Sequence, residues 1–376
     1  MFDKYRAKDI INTYAENYAQ MKSIIEKKER GEIIEGDLLE PKGLLNIYVE
    51  STNRCNLSCI FCARENMSRE LKSVSLESFC KTIDKLKKGS YISLNGNGEP
   101  LLNPQIYDMI EYASRKEMFV SIITNGTALT DKNIVKLANS GVSRVQISFQ
   151  SLHKETYEKV LKGANFDRTI RQVLKFIKYV RENKKPVFIT VGTVLVEEGK
   201  EYREVSKKFW NQMPIDNYYE GELLSLQSDS KEYGKLEDKK INEEYDICVN
   251  PWTSVKVNAD GTVNPCSLDW SSKFVIGNIN DNTLEEILLS EKAREFRKAV
   301  ANADFEYLKN IGYDCRNCNT WTEELEYGMK SFLDKRFPIK LGLVIDEVAG
   351  ERNSDLEYLN KVLQQLENDT FSINNI

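Results

Sequence analysis

Hydrophobic and polar residues follow two periods along most of the chain. Short apolar runs of strand length alternate with longer segments in which apolar residues lie three and four positions apart. The apolar runs predict six strands, at residues 44–50, 91–95, 119–124, 144–149, 187–195 and 217–224. The segments with helical spacing predict helices at residues 75–88, 104–116, 130–139, 166–182 and 201–212. Strands that are separated by helices in this way pair in parallel.

Six such strand–helix units predict an α/β fold, a partial (β/α)6 TIM-like barrel. In such barrels the functional residues lie at the carboxyl ends of the strands. Polar and glycine-rich segments of this chain fall at those positions: residues 55–62 follow the first strand and residues 96–100 follow the second. Asn125 follows the third strand, and Ser148 and Gln150 close the fourth. We therefore expect one functional rim.

The segments outside the barrel carry their own patterns. Residues 8–29 predict an amphipathic helix that covers an end of the barrel, and the polar residues 228–245 predict a linker. Further on, the pattern predicts a hairpin at 255–258 and 262–264, a helix at 284–299, a strand at 340–345 and a helix at 356–367. The predicted division is an N-terminal helical extension (1–43), the barrel (44–245), a second cysteine-bearing domain (246–321) and a C-terminal α/β tail (322–376).

Composition and charge narrow the class of protein. Hydrophobic residues at 41% and charged residues at 30% are typical of a globular protein. A net charge of −5 makes nucleic acid an unlikely partner, because phosphate binding needs a basic surface. The apolar runs are too short to cross a bilayer, and the chain start lacks the apolar core of a secretory signal. We therefore expect a cytoplasmic protein without a membrane partner.

Histidine and cysteine usage point to one kind of chemistry. His153 is the only histidine, which excludes sites that need several imidazoles, and we assign it no role. Eight cysteines in a chain without an export signal are unlikely to form a disulfide framework, because the cytosol keeps thiols reduced. Clustered cysteines in that compartment indicate metal ligands.

The first cysteine group has the spacing Cys55-x3-Cys59-x2-Cys62. A structural zinc site needs four ligands, whereas three thiolates on a four-iron cluster leave one iron open to a cofactor or substrate. Zinc stays possible only with a fourth ligand. Cys80 is the nearest candidate, but it falls within a predicted helix, where we expect a buried structural thiol, with a hydrogen-donating thiol as the alternative.

The second cysteine group consists of Cys248, Cys266, Cys315 and Cys318. Four thiolates are enough to close one [4Fe–4S] cluster completely. A structural zinc site held by the same four thiolates is the alternative.

The first cysteine loop, with Phe61 before its third cysteine, and the later Gly96-Asn97-Gly98-Glu99-Pro100 segment resemble the radical S-adenosylmethionine (SAM) superfamily. The resemblance implies that Cys55, Cys59 and Cys62 hold a [4Fe–4S] cluster whose open iron binds SAM. It also implies cofactor-binding roles for seven residues: Phe61, Gly96, Gly98, Glu99, Asn125, Ser148 and Gln150. One departure is Gln150, since many relatives have Asp shortly after the strand-four serine.

The second group, with Gly261 and the Ile276-Gly277-Asn278-Ile279 segment, resembles the SPASM/twitch extension of the same superfamily. A full extension has seven cysteines for two clusters, and no cysteine follows Cys318, so the resemblance implies a single auxiliary [4Fe–4S] cluster. It also implies a flavodoxin- or ferredoxin-type reductant.

The resemblance implies reductive cleavage of SAM to a 5′-deoxyadenosyl radical that abstracts a hydrogen atom from the substrate. We expect oxidation or rearrangement of a sugar- or cyclitol-type small molecule, with the auxiliary cluster as electron acceptor. The alternatives are modification of a ribosomally made peptide and, more remotely, a non-catalytic iron–sulfur electron carrier. The residues before the first strand read as a helix, not as the longer leader-recognition module of peptide-modifying relatives, which favours the small molecule. The general base stays unassigned among Tyr218, Tyr219, Glu220 and Glu222.

Overall fold

A computed structural model describes residues 4–223, 247–318, 353–368 and 370–372. The predicted linker at 228–245 and the predicted strand at 340–345 lie outside the described residues. Within the part that is described, none of the helices combines the length and apolar character needed to cross a bilayer.

The centre of the fold is a sheet of six parallel strands. They lie side by side in the same order in which they occur along the chain. They are β1 (Asn46–Val49), β3 (Tyr91–Ser93), β4 (Phe119–Thr124), β5 (Arg144–Ser148), β7 (Phe188–Leu195) and β8 (Asn217–Glu222). A separate antiparallel pair is formed by β2 (Ser58–Cys59) and β6 (Leu161–Lys162). All six predicted strands are thus confirmed. Among the described strands β8 ends the sheet, which is therefore a partial barrel.

In the described part of the barrel, one helix precedes β1, and six more follow the strands and cover their outer face. They are α1 (Lys4–Glu29), α2 (Leu76–Asp84), α3 (Ile106–Arg115), α4 (Asp131–Asn139), α5 (Lys154–Val160), α6 (Phe166–Glu182) and α7 (Arg203–Asn211). Ser75, Thr130 and Asn165 cap the starts of α2, α4 and α6, because each side-chain oxygen accepts a hydrogen bond from the backbone of the first turn. The predicted helices are confirmed to within a few residues, whereas the short α5 was not predicted.

The second cysteine region continues the same sheet. Its elements are α8 (Asn250–Thr253), β9 (Ser254–Val257), β10 (Thr262–Asn264), β11 (Gly277–Asn278), α9 (Leu284–Leu288), α10 (Glu291–Ala301) and α11 (Phe305–Asn310). The predicted hairpin is β9–β10, and β9 also pairs in parallel with β1. The prediction of one helix at 284–299 is wrong, because Ser290 accepts a hydrogen bond from the Ala293 N–H and starts a new helix there.

Two hydrophobic cores hold these parts together. The first lies between the sheet and helices α2 to α7. In the second, Met21 of α1 packs with Trp252 and Phe296 and with Tyr91 and Phe119, the first residues of β3 and β4. The N-terminal helix therefore covers the amino end of the barrel, as expected, and joins it to the second cysteine region.

The tail helix α12 (Asn353–Glu367) confirms the helix predicted at 356–367. Its buried residues Leu359 and Leu363 belong to the first core. Arg171 of α6 donates a hydrogen bond to the carbonyl of Leu366 at 2.7 Å. The tail therefore packs against the outer helices of the barrel.

Candidate functional site

The first cysteine group lies on the loop that follows β1. The loop is braced from one side because β2 pairs with β6 and the Ile60 N–H donates to the Val160 carbonyl at 3.1 Å. Phe61 is buried in the first core together with Leu57 and Ile60, so its ring anchors the loop.

The three thiols of this loop lie within electrostatic reach of one another. Burial raises the pKa of Cys59 above its usual range, and the neighbouring Cys62 and Cys55 raise it further. Burial also raises the pKa of Cys55 and of Cys62. Three partly buried thiols that would repel one another as thiolates suit a positively charged iron centre, which removes that cost.

The second cysteine group is assembled from distant segments. Cys248 precedes α8, Cys266 follows β10, and Cys315 and Cys318 flank a single helical turn. Burial raises the pKa of Cys266, and Cys318 and Cys248 raise it further. Burial also raises the pKa of Cys315, and the neighbouring Cys266, Cys248 and Cys318 raise it further. The fold thus brings all four predicted ligands together.

Both cysteine groups supply thiolates as donors. Three thiolates hold a [4Fe–4S] cluster with one open iron, and four thiolates close such a cluster completely. Both groups therefore fit iron–sulfur clusters by the chemistry of their donors.

The glycine-rich loop after β3 packs directly on the first cysteine loop. A Cβ atom on Gly98 would lie 2.4 Å from the Arg54 carbonyl oxygen and 2.6 Å from that of Thr52, and one on Gly96 would lie 2.5 Å from Cγ of Glu50. The Glu99 N–H donates to the Arg54 carbonyl at 2.8 Å. Only glycine allows this approach, which places the loop beside the candidate cluster.

Glu99 connects the glycine-rich loop to the loop after β4. Its side chain is buried; one carboxylate oxygen accepts hydrogen bonds from the Thr124 hydroxyl at 2.8 Å and the Leu101 N–H at 3.1 Å. The other oxygen accepts from the Asn125 N–H at 2.7 Å. Burial raises the pKa of Glu99 to about 7, against the lowering effect of these hydrogen bonds. Its contact with SAM stays a prediction.

The other predicted cofactor residues lie at different distances from the cysteine loop. Asn125 donates to Asn56 Oδ1 at 3.1 Å and lies 4.0 Å from the Cys55 sulfur, so it adjoins the candidate cluster. Ser148 ends β5 opposite Gly192. The Gln150 side chain is turned towards the end of β7, where it accepts a hydrogen bond from the Val194 N–H at 2.9 Å. Asn125 therefore contacts the first cysteine loop directly, and the cofactor-binding roles of all three residues stay predictions.

The inner face of the barrel carries many polar side chains, together with apolar ones such as Phe119, Ile123 and Phe188. Strand register places these side chains on the face opposite the hydrophobic core: Asn46, Ser93, Ser121, Arg144, Gln146, Thr190, Tyr219 and Lys256. Arg144 donates to the Gln146 oxygen at 2.9 Å, and the Gln146 amide donates to the Tyr219 hydroxyl. Of the residues considered as a general base, Tyr219 faces this interior, whereas Tyr218 and Glu220 lie on the helix-covered face.

Sequence reasoning missed four polar residues between the two cysteine groups, namely the buried Glu50, Asn97 and Lys256 and the partly buried Arg69. Asn97 and Lys256 contact each other at 3.4 Å, and Glu50 pairs with Arg69 at 2.8 Å. The alternation of polar and apolar residues could have predicted two of them. Glu50 and Lys256 stand at positions that alternate with apolar residues, which puts their side chains on the inner face of the sheet.

A barrel with a three-cysteine loop after its first strand defines an iron–sulfur enzyme class. The family model described as "Radical SAM superfamily" matches residues 49–209. A second, described as "Iron-sulfur cluster-binding domain" and named SPASM, matches residues 248–319. The chain belongs to the radical SAM superfamily and carries its SPASM-type extension; the cofactors of this enzyme class are SAM and [4Fe–4S] clusters.

Relatives with named roles are distant. The chain is 26% identical over 314 residues to the tungsten-containing aldehyde ferredoxin oxidoreductase cofactor-modifying protein of Pyrococcus furiosus, covering 72% of this chain and 86% of that protein. It is 25% identical over 285 residues to the antilisterial bacteriocin subtilosin biosynthesis protein AlbA of Bacillus subtilis, covering 68% of this chain and 62% of that protein.

Solved structures show the same fold. The crystal structure of Streptococcus suis SuiB bound to precursor peptide SuiA matches with a TM-score of 0.56 at 16% identity, covering 68% of this chain and 67% of that chain. At this identity the likeness concerns the fold alone, and it confirms the predicted partial barrel.

Proposed function

We propose that this radical SAM enzyme oxidises or rearranges a polar, hydroxyl-bearing small molecule of the sugar or cyclitol class. The observation that carries the proposal is the set of polar side chains on the inner face of the barrel. Ser121, Gln146 and Tyr219 present hydroxyl and amide groups there. Such groups bind hydroxyls through hydrogen bonds and would leave a hydrophobic substrate without partners.

In this proposal each loop of the rim has a separate task. Cys55, Cys59 and Cys62 hold a [4Fe–4S] cluster with one open iron, and the glycine-rich loop and Asn125 hold SAM beside it. Bound in this way, the cluster and SAM supply a hydrogen-abstracting radical. The chain itself positions the cofactor through the packed glycines and keeps water out through the buried side chains around the loop.

The second cysteine group is proposed to hold a single [4Fe–4S] cluster that accepts the electron left after hydrogen abstraction. Its four thiols supply enough ligands to close that cluster without an open iron. An external one-electron donor of the flavodoxin or ferredoxin type is proposed for the first cluster. The exposed Arg54 and Lys72 beside the first loop offer positive charge to such an acidic partner.

A peptide substrate is the second candidate. It is favoured by the similarity to AlbA, which is named for the biosynthesis of the bacteriocin subtilosin. The Pyrococcus furiosus relative, whose match covers more of both chains, is named for modifying a cofactor. The polar side chains of the barrel interior and this relative together support the small molecule first.

The test begins with anaerobic reconstitution, iron counting and detection of 5′-deoxyadenosine after reduction with SAM. The substrate class is then read from an extract of cells grown in deuterated medium, offered to the enzyme in ordinary water. We expect deuterium to enter 5′-deoxyadenosine from extract that has been digested with protease and filtered to keep small molecules. Deuterium that comes only from undigested extract would instead establish the peptide. Absence of 5′-deoxyadenosine under every reductant would reject SAM cleavage itself.

A further inference from the structure

Four polar side chains join the two cysteine regions and the glycine-rich loop; three are buried, and the fourth, Arg69, is 12% exposed. We call them the inter-site network: Glu50 at the end of β1, Arg69 beyond the first cysteine loop, Asn97 in the glycine-rich loop and Lys256 on β9. Lys256 is 1% exposed, and the Glu50 side chain is fully buried. Buried charges are expensive unless they are paired and hydrogen-bonded, so a network of this kind indicates a specific task.

Three members of the network hold the same short stretch of backbone. Arg69 Nε and Asn97 Nδ2 both donate to the carbonyl oxygen of Trp270, at 3.0 Å and 2.9 Å. Lys256 Nζ donates to the carbonyl oxygen of Asp269 at 3.0 Å and to Asn97 Oδ1 at 3.4 Å. The carbonyls of Asp269 and Trp270 are thus the meeting point of three parts of the fold: the segment that follows the first cysteine loop, the glycine-rich loop and β9.

That stretch of backbone is fixed to the second cysteine group. Asp269 lies three residues after Cys266, and its N–H donates to the Cys266 carbonyl at 3.3 Å. Its carboxylate accepts hydrogen bonds from the Tyr313 hydroxyl at 2.8 Å and from Asn264 Nδ2 at 3.0 Å. Tyr313 in turn is close to Cys315 in sequence and is buried in the second core. The position of the Asp269 and Trp270 carbonyls is therefore set by the second cysteine region.

On its other side the network fixes the glycine-rich loop. Glu50 and Arg69 form a two-point ion pair, with both N···O distances at 2.8 Å. Gly96 lies against the Glu50 side chain so closely that a Cβ would be 2.5 Å from its Cγ, and the Asn97 N–H lies 3.5 Å from a Glu50 oxygen. The loop therefore has one side held by Glu50 and the other held, through Asn97, by Lys256 and Trp270.

We propose that Lys256 is a positioning residue for SAM: by holding Asn97 on the backbone of the second cysteine region, it sets the shape of the glycine-rich loop that binds the cofactor. This inference rests on the proposed function, because it takes that loop as the SAM-binding loop. Without the Lys256 ammonium group, the carbonyl oxygen of Asp269 loses its charged donor. The Asn97 side chain also loses one of the groups that orient its amide. A loop that moves by a fraction of an ångström binds its ligand more weakly.

The test replaces Lys256 by methionine, which keeps the apolar stem and removes the ammonium group. SAM affinity is measured anaerobically at equilibrium, from the change in the electron paramagnetic resonance spectrum of the reduced first cluster. We expect Kd for SAM to rise about tenfold, which corresponds to about 1.4 kcal/mol, with no loss of iron. An unchanged Kd in a folded, iron-replete Lys256→Met protein overturns the inference, whereas a native protein that binds no SAM overturns the proposed function instead.

Lys85 provides a matched control. Lys85 follows α2 of the barrel, and its Nζ also donates to backbone carbonyls of the second region, those of Ile279, Asn280 and Asn282, but these carbonyls are not the ones that the inter-site network holds. We expect Lys85→Met to leave SAM affinity unchanged. If both lysine variants weaken SAM binding equally, a general loosening of the second region explains the effect, and the positioning role is rejected.

A double-variant cycle tests the link through Asn97. Asn97→Ala alone should raise Kd for SAM about as much as Lys256→Met, and it keeps the proposal testable if the lysine variant fails to fold. In the Asn97→Ala background the lysine substitution should change Kd by less than about twofold, because the shared link is already absent. Fully additive effects would show that the two residues act separately, and would contradict the proposal.

Discussion

The two cysteine groups of this protein are built in opposite ways. Cys55, Cys59 and Cys62 come from one short loop at the rim of the barrel, and Cys55 and Cys59 only border the first core. The four thiols of the second group come from three separate segments, with Cys318 inside the second core and the others packed against it.

The difference follows from what each group has to admit. A loop at the rim can present three thiolates and leave one corner of a cluster open to a ligand from solvent. Four thiolates from distant segments enclose a cluster and connect those segments, so the metal also contributes to the stability of the fold. The rim site is therefore suited to bind SAM, and the core site is suited to hold structure and to take an electron.

The largest expected effect comes from removing the rim site. Replacing Cys55, Cys59 and Cys62 together by alanine should abolish 5′-deoxyadenosine formation, because SAM loses the iron that binds it. Iron content should fall from about eight to about four per chain, since the core site is untouched. Iron analysis and chromatography of the reduced reaction check both values.

Cys80→Ala is the control for that experiment. Cys80 lies on α2 beside Asp84 and Lys116 and is partly exposed, so the prediction of a buried thiol is wrong. The variant should keep full iron content and SAM cleavage. Loss of iron on this substitution would make Cys80 a fourth ligand and revive a closed metal site at the rim.

The second expected effect distinguishes the core site from the rim site by stability. Replacing Cys266 and Cys315 by alanine should lower the thermal unfolding midpoint by an amount on the order of 10 °C, because the enclosed metal binds only the folded state. The triple rim variant should lose less stability, since its loop is also anchored by Phe61 and by β2–β6 pairing. Calorimetry of the two variants side by side measures both unfolding midpoints. An equal fall in the two midpoints would show that the core site stabilises the fold no more than the rim site does. Metal analysis that finds zinc in the native core site would replace the auxiliary cluster by a structural ion.

The sequence predicted the rim site well because its information is local. Three cysteines within eight residues, and glycines one strand further on, need no knowledge of distant contacts. The second group was also predicted, although by resemblance, since no local pattern joins Cys248 to Cys315. The inter-site network was missed because Arg69 meets the Trp270 carbonyl across 201 residues of sequence. The pairing of β9 with β1 was missed for the same reason, although the hairpin itself follows from its turn residues.

The third expected effect concerns the fit between the glycine-rich loop and the rim loop. In Gly98→Ala the new methyl group would lie 2.4 Å from the Arg54 carbonyl oxygen, which is backbone and cannot turn away. The two loops must separate, and SAM cleavage should fall about 100-fold, the usual cost of misplacing reacting groups by about 1 Å. Gly199→Ala, where the nearest atom would be 3.7 Å from the new methyl group, should remain within about twofold of the native rate. Equal activity of both variants would show that the close packing does not control SAM.

The smallest expected effect tests whether the rim also senses pH through Glu99. Burial raises the pKa of Glu99 to about 7, so the side chain is mostly neutral at pH 6 and mostly ionised at pH 8. The resemblance implies that the glycine-rich loop binds the amino group of the methionine part of SAM. An amino group donates a stronger hydrogen bond to a carboxylate than to a carboxylic acid. SAM affinity should therefore increase as pH rises from 6 to 8, by about fivefold for roughly 1 kcal/mol. Glu99→Gln should remove this dependence, whereas the exposed Glu111→Gln should keep it. If Glu99→Gln still shows the native pH profile, the carboxylate serves only to join Thr124 and Asn125 to the glycine-rich loop, and the recognition of SAM at the rim then rests on backbone groups.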